Sequence, residues 1–251
     1  MSMGRPLTAA VIGLTVAAAP SLAQGRGGGP PPTARASAAI DLTGFWVAVI
    51  TEDWQYRMMT PRKGDYGFVP MTPEARKVAD AWDPAADQAA GNQCKAFGAA
   101  AIMRVPGRLH ITWQDDTTLK VETDAGTQTR LFMFGPRPTT PPAPSWQGVS
   151  TAQWERPPGP PNAPPPGGGL KVVTTNLRGG YLRWNGVPYS DSAVVTEYFD
   201  VGPLPGGGQV LLVTTVVEDP RYLFLPFIVS SQFKKEPDGA KWDPTPCSTS
   251  W

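Results

Sequence analysis

One histidine and two cysteines in 251 residues remove most metal and nucleophile chemistry at the outset. Cys94 and Cys247 lie far apart and only His110 can join them. No Cys/His zinc or blue-copper set can form, so no metal site is expected from these residues, though an all-carboxylate calcium or magnesium site stays open. A Ser/His/Asp set has a single possible base, and no G-x-S-x-G elbow occurs. Charge of one sign is also missing: 22 Lys and Arg stand against 21 Asp and Glu. That balance lacks the cationic surplus that draws a chain to nucleic acid. Apolar runs are too short to cross a bilayer as a helix, so no transmembrane segment is expected in the mature chain. The triplets Gly167-Gly168-Gly169 and Gly206-Gly207-Gly208 have no helix after them to complete a phosphate cradle, and no cofactor is expected.

Proline and glycine are abundant, at 30 and 27 residues, together about twice their usual share. Long uninterrupted helices cannot form at that density, so helix bundles and doubly wound sheets are excluded. With 41% hydrophobic residues, nine tryptophans and nine phenylalanines, the chain can still fill a full core.

Residues 1–23 read as a signal peptide: Arg5, an apolar run from Leu7 to Ala19, then Pro20-Ser21-Leu22-Ala23 with small residues at the cleavage positions. The expected location is periplasmic or secreted, with Gln24 as the mature N-terminus. Residues 24–39 (QGRGGGPPPTARASAA) carry nothing larger than alanine to bury and read as a disordered tether, leaving residues 40–251 as one domain. In an exported protein, the pair Cys94 and Cys247 is expected to form a disulfide.

Strand signals follow one another along this domain. Asp41 to Thr51 is a first strand, and 52–70 a loop. Thr72 caps a short helix that begins Pro73-Glu74 and is stopped by Asp83-Pro84. Ala100 to Val105, Arg108 to Gln114, Thr118 to Thr123 and Thr127 to Phe134 read as a four-stranded meander. Its turns are Pro106-Gly107, Asp115 to Thr117 and Asp124-Ala125-Gly126. Residues 136–168 hold 12 of the 30 prolines in two loops around a strand at Gln147 to Glu155. Strands at Leu170 to Asn176, Ala193 to Val201, Gln209 to Val217 and Phe227 to Lys235 complete the set. The expectation is an all-β fold: an antiparallel meander closed into a barrel of about 8–10 strands, with one short N-terminal helix and long Pro-rich loops.

Gly44-Phe45-Trp46 on the first strand is similar to the G-x-W start of lipocalins and other calycins. A broader likeness runs through Leu42 to Trp46, Met71 to Glu74, Asp83-Pro84 leading to Cys94, Trp146 to Gly148 with Trp154-Glu155, and Val217 to Pro220 followed by Pro226-Phe227. In that order the pieces resemble a widespread, mostly uncharacterised group of exported bacterial β-barrel proteins. The resemblance implies a periplasmic lipocalin-like barrel. Where the group carries histidines after the central hairpins, this chain has Arg130 to Phe134.

The hairpin loops place His110 opposite Glu122, and Glu122 opposite Gln128, with Thr112, Lys120 and Arg130 on the same face. Leu109, Ile111, Trp113, Leu119, Val121 and Leu131 take the other. A carboxylate orienting a histidine is a usable acid/base pair, and Arg130 beside it could hold an anionic group. A structural reading makes these residues the solvent side of a half-buried sheet. Trp46, Trp113, Trp154 and Tyr198 are core residues or the wall of an apolar cavity. Trp54, Tyr56, Tyr181, Trp184 and Tyr189 lie on loops, where sheet packing does not by itself account for bulky aromatics, and Arg57, Arg62 and Arg183 stand among them.

Three function classes remain: a barrel that binds a small hydrophobic or aromatic molecule, a cofactor-independent lyase or isomerase using His110, Glu122 and Arg130, and a structural part of an envelope complex. The first is the leading expectation. Nothing in the sequence sets an oligomeric state.

Overall fold

Alternating residues along nine strands fill the inside of a closed cylinder. The computed structural model describes Met1 and residues 31–140, 142–157 and 167–249. Beyond Met1, the expected signal peptide and the first part of the expected tether lie outside the described residues. In chain order the strands are β1 (Gly44–Val49), β2 (Arg108–Trp113), β3 (Thr118–Thr123), β4 (Gln128–Phe134), β5 (Val149–Glu155) and β6 (Gly169–Thr175). There follow β7 (Gly180–Tyr181), β8 (Pro188–Tyr189), β9 (Val194–Pro203), β10 (Gln209–Glu218) and β11 (Phe227–Glu236). Around the barrel the order is β1, β11, β10, β9, β6, β5, β4, β3, β2 and back to β1, while β7 and β8 make a separate small hairpin. Trp46, Ile111, Val121, Phe132, Val172 and Phe199 point into the lumen and are each at most 1% exposed. Burial of this kind supplies about 1.5–3 kcal/mol per large side chain.

Three sequence expectations are corrected. Ala100 to Val105 is not a strand: Ile102–Arg104 is a 3₁₀ turn, and Ile102, Met103 and Arg104 are all buried. A continuous apolar run carries no period, so it does not distinguish a buried turn from a buried strand. The meander therefore has three strands, β2 to β4. Nor is the barrel wholly antiparallel, because β4 and β5 run parallel over Phe132↔Ser150, Met133↔Thr151 and Phe134↔Ala152. The proline-rich residues 135–148 carry the chain back to the end where β4 began, the crossover that a parallel pair requires. Among the described residues there are three α-helices, not one: α1 (Trp54–Arg57), α2 (Pro73–Asp80) and α3 (Pro84–Ala89). Thr72 Oγ1 caps α2 by accepting from the Ala75 amide, and Asp83 caps α3 by accepting from Ala85 and Ala86. Asp83-Pro84 thus ends one helix and begins the next.

The two barrel ends are closed differently. Where β1 begins, residues 32–43 form a strap across the mouth. Trp154 Nε1 donates to the Ala34 carbonyl at 2.8 Å and the Arg35 amide to the Asp116 carbonyl at 3.0 Å. Beneath the strap, Trp113, Phe134 and Trp154 form an aromatic trio with ring centres 5.1–6.3 Å apart. Residues 32–39, part of the segment read as a tether, are thus tied to the barrel by hydrogen bonds. Where β1 ends, α1 to α3, the 3₁₀ turns and the β7–β8 hairpin form a cap. Its own apolar cluster includes Met71, Ala75, Ala79, Leu182, Tyr189 and Phe227.

Cys94 and Cys247 form a disulfide with Cα atoms 5.1 Å apart and a sequence separation of 153. It ties the C-terminal segment to the cap beside Gly126. That glycine has φ 76°, and a Cβ on it would meet the Phe97 ring at 2.3 Å. Replacing both cysteines by alanine is expected to lower unfolding stability in urea by about 4–5 kcal/mol, the loop entropy of a crosslink this long. A loss under about 1 kcal/mol would show that the last residues contribute little to closing the cap.

Candidate functional site

Register decides which residues reach the interior, and the β3–β4 loop sets it. The loop has four residues, Asp124 to Thr127, with Gly126 and Thr127 both at positive φ. Thr123 then pairs with Gln128, and Glu122 with Thr129 rather than Gln128. A shift of one residue turns a whole strand over. Arg130 therefore faces the lumen beside Val121 and Phe132, while Leu131 points outward. His110 and Glu122 stay on the outer surface, with Nδ1 and Oε2 3.4 Å apart. Lys120 Nζ lies 3.0 Å from the same carboxylate oxygen, and the imidazole stacks on Phe45 with ring centres 4.1 Å apart. The sheet separates His110 and Glu122 from Arg130, so the three are not brought together as an acid/base set.

Inside the barrel Arg130 meets a partner that sequence reasoning missed. Its Nη1 donates to Glu197 Oε1 at 2.9 Å and its Nη2 to Oε2 at 2.5 Å, both residues being at most 1% exposed. Nη2 also reaches Thr174 Oγ1 at 3.2 Å, which lies 2.8 Å from Ser150 Oγ. The two-pronged pairing matches guanidinium to carboxylate geometry. It offsets the heavy desolvation of two buried charges. The alternation in β9 could have signalled Glu197, since it shares a parity with Val195 and Phe199. Arg130 Nε has no partner among the described residues.

Arg130 forms the floor of a cleft. Because β4 and β5 pair only from Phe132 onward, the strands splay toward the cap and the proline-rich crossover lies over the gap. The resulting cleft has a volume of about 430 Å³. Its walls include Leu131, Met133, Pro138, Pro142 and Val149, with Gln147 and Ser150 as polar members. Gln147 Nε2 donates to the Phe97 carbonyl at 2.8 Å and to Gln128 Oε1 at 2.9 Å, while Gln147 Oε1 has no partner among the described residues. Gly148, at φ 61°, lets the chain pass close to β6, where a Cβ would lie 2.4 Å from the Thr175 carbonyl oxygen. A wider groove of about 630 Å³ near the strap is more polar, with Glu155, Arg156, Tyr198 and Asp200 on its walls. Pro157 and Gly168 also line it, and it is the weaker candidate.

The aromatic candidates separate into groups. Trp46 is lumenal core, its Nε1 donating to the Leu42 carbonyl. Trp113 and Trp154 belong to the trio under the strap. Tyr198 lies on the outer face with Lys171 Nζ 5.5 Å from its ring. Trp184 packs edge-on against Phe97 in the cap. Tyr181 donates to Asp87 Oδ2 at 2.6 Å, and burial together with that carboxylate raises its pKa far above the ordinary phenol value. Tyr189 is buried with its hydroxyl unpartnered among the described residues. Together with Tyr181 it borders a cleft of about 280 Å³. Trp54 is exposed on α1, whereas Tyr56 and Arg57 turn inward and Arg183 lies over the Tyr56 ring at 4.0 Å. Beside these last three lies Arg104, an arginine set in the apolar run Ala99 to Val105 that sequence reasoning omitted.

No family model matches the chain, and none of the curated proteins or solved structures compared with it matches either.

The Glu197→Gln variant leaves the buried Arg130 guanidinium without its counter-charge and is expected to lose about 3–5 kcal/mol of stability in urea unfolding. Replacing both partners, as Arg130→Met with Glu197→Leu, is expected to recover most of that loss. A double variant as unstable as the single one would show that shape, rather than charge pairing, governs this part of the lumen.

Proposed function

We propose that this protein is an exported barrel that binds one small hydrophobic or aromatic molecule in the lateral cleft between β4 and β5. The observation that carries this reading is the cleft's composition: mostly apolar walls around about 430 Å³, with one buried guanidinium on the floor. Small-molecule sites have this character, an apolar enclosure with few polar groups that fix orientation. Arg130 is held by Glu197 on its Nη side, so its free Nε–H is directed by a fixed scaffold and suits a carbonyl, ether or hydroxyl oxygen of the ligand. Binding is favoured over turnover because the one histidine lies on the outer surface beside Glu122, and the sheet separates it from Arg130. The Cys94–Cys247 bond fits an oxidising compartment and agrees with the export signal read at residues 1–23. Among the described residues no helix is long and apolar enough to cross a membrane.

The test is a titration of the mature chain with the neutral aromatic dye N-phenyl-1-naphthylamine. Saturable binding at one site per chain is expected, with fluorescence rising as the dye leaves water. Leu131→Asp places a charge in the cleft wall at a residue already 39% exposed, so folding should survive. Affinity should fall about tenfold or more, because a carboxylate is poorly solvated against an apolar ligand. Unsaturable binding, or equal affinity in the variant, would remove the cleft as the site.

A further inference from the structure

Three more arginines are buried in the cap. Arg57 ends α1, Arg104 lies in the 3₁₀ turn before β2, and Arg183 sits in the β7–β8 hairpin. Their exposures are 1%, 5% and 2%. Each is anchored on one side only. Arg57 Nε donates to the Arg104 carbonyl at 2.9 Å, and its Nη1 pairs with Glu52. Arg104 Nη1 reaches Asp53 Oδ2 at 3.3 Å, and Arg183 Nη1 donates to the Gly67 carbonyl at 2.7 Å. The guanidinium carbons of Arg104 and Arg183 each lie 5.8 Å from the centre of the Phe227 ring, which brings them to one place.

What remains is a set of donors without acceptors. Arg57 Nη2, Arg104 Nη2, and Arg183 Nε and Nη2 have no partner among the described residues. Buried guanidinium N–H groups are costly to leave unmatched. Among the described residues two carboxylates touch these side chains, those of Glu52 and Asp53, both about a third exposed at the edge of the cluster. Asp65, which accepts from the Tyr56 hydroxyl at 3.1 Å, is a third negative charge that acts on Arg183 without touching it. The nearby carboxylates thus match the guanidiniums in charge but leave four of their nitrogens without acceptors among the described residues. Burial and the neighbouring Arg104 lower the Arg183 pKa to about 10, which still leaves it charged at neutral pH.

We propose that Arg57, Arg104 and Arg183 form an anion site that takes the carboxylate of a small organic acid. The four unmatched nitrogens supply the donors that a carboxylate's two oxygens can accept. One added negative charge is repelled less by the carboxylates of Glu52, Asp53 and Asp65 than a dianion would be. Exposed Trp54, Met58 and Met59 flank the edge where Glu52 and Asp53 meet solvent. They give the organic part of the acid an apolar surface. The site stands independently of the β4–β5 cleft.

Benzoate, with inorganic phosphate as the comparison, is titrated into the full mature chain carrying Leu131→Asp, which disables the cleft. The Nε–H resonances of arginine are followed by NMR, together with thermal unfolding. Benzoate should shift the Arg57, Arg104 and Arg183 signals saturably and leave that of Arg130 in place, and it should raise the melting temperature. Phosphate, mostly dianionic above neutral pH, should bind about tenfold more weakly. Arg104→Lys keeps the charge but removes the planar fork, and it should weaken benzoate about tenfold. The readout on the unmodified arginines stands even where that variant folds poorly. Absence of a saturable shift with benzoate into the tens of millimolar would overturn the proposal. Phosphate binding as tight as benzoate would overturn its carboxylate assignment.

Discussion

Closure of the sheet through β1 is the constraint on which the other features rest. Phe45 to Val49 pair with the last strand, β11, and Gly44 to Val47 pair with β2, so the first strand completes the cylinder between partners far from it in sequence. Without that strand, β2 and β11 would be open edges available to other chains. Closure also makes the interior dry. A charged side chain of lumenal parity then needs a counter-charge, which is why Arg130, once the register turns it inward, appears with Glu197, Thr174 and Ser150 around it.

The seam between β4 and β5 is the place where closure is least complete. Elsewhere neighbouring strands run antiparallel over at least four residue pairs, but here the pairing is parallel and only three pairs long. Proline prevents ladder donation, so the crossover at 135–148 cannot extend the sheet across the gap. The seam thus leaves apolar residues such as Leu131 and Met133 accessible next to a buried charge. A rigid barrel can accommodate such an opening because its other strands fix the floor in place.

Much of this was legible from sequence, for physical reasons that also explain the misses. The windows for β1, β2, β3, β6, β9, β10 and β11 show strand alternation or β-branched runs between turn residues, and the structure places strands in each. The Thr72 cap and the Cys94–Cys247 pairing also rest on local or compartment chemistry that sequence carries. The Ala100 to Val105 segment failed because an apolar run without period fits either a strand or a buried turn. Arg130 was assigned to the wrong face because Thr127 adopts positive φ in the β3–β4 turn, and a threonine does not advertise that conformation as glycine does. The parallel pairing of β4 with β5 depends on where a proline-rich connection runs, which no local pattern encodes.

The two sets of buried arginine differ in a way that sorts structural from functional charge. Arg130 has a carboxylate partner as buried as itself and a two-pronged fit, leaving one nitrogen unmatched. Arg57, Arg104 and Arg183 have edge carboxylates and backbone carbonyls for partners, and they leave four nitrogens unmatched. A lock between elements does not need unmatched donors, since an apolar side chain of similar volume would pack the cap with less desolvation. Two guanidiniums beside one aromatic ring, those of Arg104 and Arg183, with Arg57 bonded to the Arg104 carbonyl, are hard to account for as packing alone. Their arrangement has the character of a preorganised site: the protein spends stability to hold donors in place, and an acceptor from outside restores it. The same closed sheet positions two chemically distinct regions, an apolar seam with a single unmatched donor and a capped end with several.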